Sequence, residues 1–227
     1  MSEYDNFLPR PTMDGFLRRV DLRALKGLTE DEIKDAISSA CDFFGIPFPA
    51  FVQDLSNFKF GRTMFVNIDP TSFGDDLLYY NMNELAQLHV GTAEAFSIIM
   101  SHEMAHRYLQ GVRFEGPYNG SWQNELAADF LMACRAGLFG MSQINNVIEG
   151  LEKTQGSKSH PKGYLRANFI RHGLKIAQQI RNESRPVTMN DLLNEYGKHY
   201  QEMLSYVKKD EKEIYNLIER MRRYISE

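Results

Sequence analysis

The stretch Ser101-His102-Glu103-Met104-Ala105-His106 decides how the rest of the chain is read. It lies in a helical pattern: Ala95, Ile99, His102, His106 and Leu109 share one stripe, and Gly111 closes the helix. On a helix, positions i and i+4 face the same way, so His102 and His106 can converge on one tetrahedral ion. Glu103 leans to one side of that ion, where it can reach a bound water without taking a ligand position. Chance produces H-E-x-x-H in a chain of this length with odds on the order of one in a hundred. A lone helical histidine is usually a packing or surface residue; two at this spacing around a glutamate read as a metal pair.

A catalytic zinc site needs a third protein ligand and keeps one position open. The continuation H-x-x-G-x-x-H is absent, since Leu109 and Val112 occupy its glycine and histidine positions. Downstream, Trp122-Gln123-Asn124-Glu125-Leu126-Ala127-Ala128-Asp129 offers another source. Glu125 and Asp129 are again i and i+4, and Ala127 and Ala128 are small enough to let two helices approach. Glu125 is the candidate third ligand. Asp129 is the candidate acceptor for the second N–H of a ligand histidine, which would set its tautomer and basicity.

Working outward, Thr29 and Glu32 form a capping box that opens a helix to about Phe44, ended by Gly45-Ile46-Pro47. Thr63 to Ile68 and Asp76 to Met82 are strand-like, with turn residues between them. Further helices are expected over about 121–136, 164–182, 189–207 and 210–225, with a polar loop from Gly150 to Gly163. The whole reads as one domain over 1–227: an N-terminal arm (1–28), a helix and small β unit (29–91), zinc-site helices and a His-Pro loop (92–182), and C-terminal helices (183–227). The expected fold is α+β, predominantly helical; with the H-E-x-x-H helix it resembles a zincin-like metallopeptidase fold, which implies a small β-sheet over the active-site helix.

With 43% hydrophobic and 25% charged residues, the 227-residue chain can bury an ordinary globular core. A formal charge of −4 speaks against nucleic acid or an anionic membrane as the main partner, since both reward a basic face. Nowhere do roughly 18 apolar residues run together, so no membrane span is expected. Met1 to Val20 carries no apolar block like a secretory signal, and the two cysteines, Cys41 and Cys134, fit reduced thiols. The expected compartment is the cytoplasm.

At these motifs the chain resembles the gluzincin zinc metallopeptidases, in which a glutamate on a second helix completes the metal site. The resemblance is closer to the CAAX-prenyl-protease/HtpX-like branch. It rests on the E-x-x-x-D helix of Glu125 and Asp129 and on His160-Pro161 followed by Arg166, which looks like that branch's H-P-x-x-x-x-R element. It covers about Ala93 to Arg171. The resemblance implies Zn2+ on His102, His106 and Glu125, a protein or peptide substrate, and an endopeptidase reaction by metal-activated water with Glu103 as general base. It further implies that His160 stabilises the developing oxyanion and that Arg166 orients His160 or the substrate. The chain departs from the branch at Ala127, where a second glutamate is common, and in lacking membrane-spanning runs. Both departures point away from a prenyl-protein or membrane substrate.

Two other readings stay open. A hydrolase acting on a non-peptide amide would use the same chemistry. A non-catalytic regulatory or interaction protein could retain the zinc site, with Ile214, Leu217, Ile218, Met221 and Ile225 forming a C-terminal stripe for a partner helix. The intact Glu103 speaks for an enzyme, because a purely structural site has no use for it.

Overall fold

The computed structural model describes residues 28–49, 51–54, 64–67, 77–81, 92–110, 120–152, 154–156 and 160–209. Six helices dominate them: α1 (Glu30–Phe44), α2 (Ala93–Leu109), α3 (Gly120–Phe139), α4 (Ile144–Leu151), α5 (Gly163–Glu183) and α6 (Met189–Lys209). Residues 1–27 of the N-terminal arm and the helix expected over about 210–225, with its apolar stripe from Ile214 to Ile225, lie outside the described residues.

Local chemistry explains the helix ends. Thr29 opens α1 with both halves of the capping box: Glu32 N donates to Thr29 Oγ1 at 3.2 Å, and Thr29 N donates to the Glu32 carboxylate at 2.8 Å. Gly45 closes α1 in the left-handed region at φ 63°. Thr92 caps α2 by accepting from Ala95 N at 3.1 Å. α4 falls where no helix was expected. Its own N-cap, Gln143, makes no side-chain cap bond. Instead Glu94 of α2 accepts from Gln143 N at 2.8 Å, so a distant helix supplies the start signal.

α3 is the centre of the molecule. Leu126, Ala127, Ala128, Phe130, Leu131, Met132, Ala133, Cys134 and Ala136 are all buried, so this helix is apolar nearly all round and is covered on every side. α2 and α5 pack on it, α1 packs on α2, and α6 lies against α3 and α5. Contact with α5 is close because glycines sit at the crossing. A Cβ at Gly173 would lie 2.5 Å from Phe130 O and 2.9 Å from Ala133 Cβ, and one at Gly137 would lie 2.6 Å from Ala177 Cβ. Cys134 packs in the same seam, and both cysteines are free and buried.

The expected α+β, zincin-like fold with a small β-sheet over the active-site helix is corrected: the protein is predominantly helical, and its core is built helix on helix. Among the described residues strand pairing is confined to three runs of four residues, β1 (Phe51–Asp54), β2 (Met64–Asn67) and β3 (Leu77–Tyr80), in the order β1-β3-β2. These runs contribute Leu78 to the buried core and Tyr80 edge-on to Phe96. Runs this short form no layer of their own, whereas the six helices bury one another's apolar faces. No helix among the described residues is long and apolar enough to cross a membrane.

α6 docks through polar and aromatic contacts. Tyr196 donates to Gln123 O at 3.0 Å, and Gln123 Nε2 donates to the Tyr200 hydroxyl at 2.8 Å. His199 of α6 stacks on His172 of α5, with ring centroids 3.8 Å apart and planes 5° from parallel. Its Nε2 lies 2.7 Å from Asn168 Oδ1. Burial pushes both imidazoles toward the neutral form; His199 falls to about 4, with His172 and Lys175 adding to the effect of burial and Glu202 opposing it.

Two predictions follow from this packing. Alanine favours a helix over glycine by about 1 kcal/mol, but overpacking at a rigid crossing costs about 1–3 kcal/mol. Gly173→Ala is therefore expected to lower stability, read as an earlier chemical-denaturation midpoint. The unfolded chain protonates its histidines near 6.5, and the folded chain protonates His199 only near 4. Stability present above about pH 6.5 is then lost as the pH falls toward 4. His199→Phe should show a shallower acid loss than the parent over that range, and an identical slope would remove His199 as its source.

Candidate metal centre

Three helices build the centre. α2 presents His102, Glu103 and His106. α3 presents Glu125 and Asp129. α5 presents Arg166, and the segment entering it presents His160. Ala105 on α2 and Ala128 on α3 are small and fully buried, which suits a close approach of the two helices. The entry to α5 is pinned at Gly163: its N–H donates to Thr154 O at 3.0 Å, and a Cβ there would collide with the Leu151 carbonyl. That contact holds the buried His160 against the helices.

Nε2 of His102 and Nε2 of His106 are 3.0 Å apart. Glu125 Oε1 lies 3.2 Å from His106 Nε2, and Glu125 Oε2 lies 3.5 Å from His102 Nε2. Zinc bonds of 2.0–2.1 Å in a tetrahedron place ligand atoms about 3.3 Å apart, close to the separation of the two imidazole nitrogens and to that of each nitrogen from the carboxylate oxygen facing it. These three residues form a group able to hold a metal, with all ligand atoms within 4.8 Å of one another. Glu125 Oε2 is buried and accepts no hydrogen bond, which leaves a lone pair for an ion.

Around the donors lies a buried shell. Nδ1 of His102 is 3.1 Å from Asp129 Oδ1, which leaves its Nε2 turned to the centre. Arg166 grips Asp129 with a fork: Nε donates to Oδ2 at 2.7 Å and Nη2 to Oδ1 at 2.8 Å. The same Nη2 is 3.5 Å from Glu125 Oε2, and His160 Nε2 is 3.4 Å from Glu125 Oε1. The expected site residues are thus brought together. One contact was not anticipated: the Arg166 fork on Asp129, between residues 37 apart, for which local spacing gives no signal.

Electrostatics follow from burial among opposite charges. Burial alone would raise the Glu125 carboxyl, but His106, His160 and His102 hold it well below the usual range. Asp129 is likewise pushed up by burial and brought down further by Arg166 and His102. His102 is lifted to about 10, because Asp129 and Glu125 outweigh its burial. Burial, with Arg166 and the other histidines, drives His160 down to about 4 despite Glu125. The Glu103 carboxyl is raised by burial against the pull of His102 and His106. The ionised Glu125 carboxylate and the two imidazole nitrogens make a donor set suited to a divalent cation, and Asp129 stands behind His102.

Arg166→Met should leave the Asp129 carboxylate buried without its cation, costing about 3–5 kcal/mol. It should also weaken zinc binding about 10–100-fold through the loosened His102. Denaturation of the metal-free variant and zinc competition against a chromophoric chelator check the two effects separately.

Comparison of the chain with family models, curated proteins and solved structures gave no match, so the geometry of the site itself carries its reading.

Proposed function

We propose that the chain is a zinc-dependent endopeptidase with a gluzincin-type ligand set of His102, His106 and Glu125. The observation that carries the reading is the convergence of two imidazole nitrogens 3.0 Å apart with the Glu125 carboxylate, whose oxygens lie 3.2 Å from His106 Nε2 and 3.5 Å from His102 Nε2, beside a glutamate in the H-E-x-x-H position. Bound zinc would supply Lewis-acid polarisation of a carbonyl and a water acidic enough to attack it near neutral pH.

The chain's own residues have the following roles. Glu103 takes the proton from the attacking water and returns it to the leaving amine. A carboxyl raised by burial suits that exchange better than one fully committed to ionisation. His160, held against Glu125, sits beside the ligand set and is the candidate to stabilise negative charge on the substrate oxygen. Asp129 orients His102, and Arg166 keeps Asp129 ionised and in place. The substrate class is protein or peptide.

Purified protein should carry about one zinc per chain by elemental analysis, and His102→Ala should lose it. Glu103→Gln should retain zinc while hydrolysis of a diverse peptide library falls by about 10²–10⁴. Wild-type cleavage by Glu103→Gln would remove the general base. Zinc without peptide hydrolysis in the parent would favour a non-catalytic site.

A further inference from the structure

Outside the metal centre, the most unusual buried group is Arg135 on α3. Its side chain is 1% exposed, and its hydrogen-bond partners among the described residues include no carboxylate. Nη1 donates to Ser101 Oγ at 2.7 Å, to Ser97 Oγ at 3.1 Å and, less directly, to Ser97 O at 3.4 Å. Nη2 donates to Ser39 Oγ at 2.7 Å. Nε is buried and makes no hydrogen bond. Burial without a counter-charge brings the guanidinium down to about 10. A buried cation answered by neutral hydroxyls is a poor source of stability; its consequence lies in where it forces the helices to sit.

Ser97 and Ser101 are one turn apart on α2, and Ser101 Oγ donates in turn to Ser97 O at 2.6 Å. Ser101 directly precedes the ligand His102. Arg135 shares α3 with Asp129 and Glu125, six and ten residues earlier, or about 9 and 15 Å along the axis. The two helices that bring the ligands together are therefore pinned at a second point. Sliding α3 by one turn, about 5.4 Å, would break the simultaneous contact of the guanidinium with Ser97 and Ser101 on α2 and Ser39 on α1.

We propose that Arg135 is a positioning residue that sets the register of α3 against α2, and through it the spacing of Glu125 from His102 and His106. This inference rests on the metal-site reading, but it acts on the arrangement of side chains whether or not an ion is bound.

The test is Arg135→Met, with Arg135→Lys as the second variant should Met fail to fold, since lysine keeps the charge and loses the fork. Three measurements are made on each: thermal unfolding, the ring-proton NMR signals of His102 and His106 in metal-free protein, and Co2+ titration followed by the visible absorption of the bound ion. Positioning predicts little loss or even a gain in melting temperature for Arg135→Met. It also predicts displaced histidine signals and a Co2+ affinity weakened about tenfold or more. Ser39→Ala, which releases only α1, should leave the histidine signals where they are. Histidine signals and Co2+ affinity both unchanged in a folded Arg135 variant would overturn the proposal. A parent protein that binds no Co2+ would sink the metal reading, while displaced histidine signals in Arg135→Met would still support the register role.

Discussion

Glu125 and Asp129 place two carboxylates one turn apart on a helix that is otherwise apolar nearly all round, and their charge has to be answered inside the protein. The answers come from three directions. α2 supplies His102 and His106, the segment entering α5 supplies His160, and α5 itself supplies Arg166. Each of these groups is drawn in because an uncompensated buried charge is more costly than the ordering of the side chain that meets it. The docking of α2 and α5 onto α3 and the assembly of the site are thus one event.

Close approach makes that event geometrically feasible. Small residues lie in both seams of α3: Ala105 and Ala128 between α2 and α3, and Gly137 and Gly173 between α3 and α5. Short side chains such as carboxylates and imidazoles can meet at 3 Å only if the backbones behind them are near one another. Larger residues at these positions would hold the helices apart and leave the same ligands facing a gap. Packing and chemistry therefore select for the same small side chains.

The helices α1, α2, α3, α5 and α6 were legible because their signals are local. The Thr29–Glu32 capping box, the stripe through Ala95, Ile99, His102 and His106, and Gly45 in the left-handed region all act within a turn or two. α4 was not read, although Ile144, Val147, Ile148 and Leu151 have helical spacing, because it is eight residues long and lacks a cap of its own. Its start is set by Glu94, about fifty residues earlier in the chain. The fold class differs for a related reason: strand-like composition in two runs suggests a β layer, yet among the described residues the buried core is almost entirely helical.

By itself, the sequence determined which residues share a helix face, and so nominated His102, His106, Glu125 and Asp129 as two i, i+4 pairs with Glu103 beside the first. It could do so because a helix repeats every 3.6 residues, and that period is written in the order of side chains. Only the tertiary structure decided which pair faces which, that Arg166 forks onto Asp129, and that Arg135 reaches Ser97, Ser101 and Ser39. These contacts join positions 34 to 96 residues apart. They depend on the angle and register at which helices dock, quantities set by the sum of all buried contacts and by no local pattern.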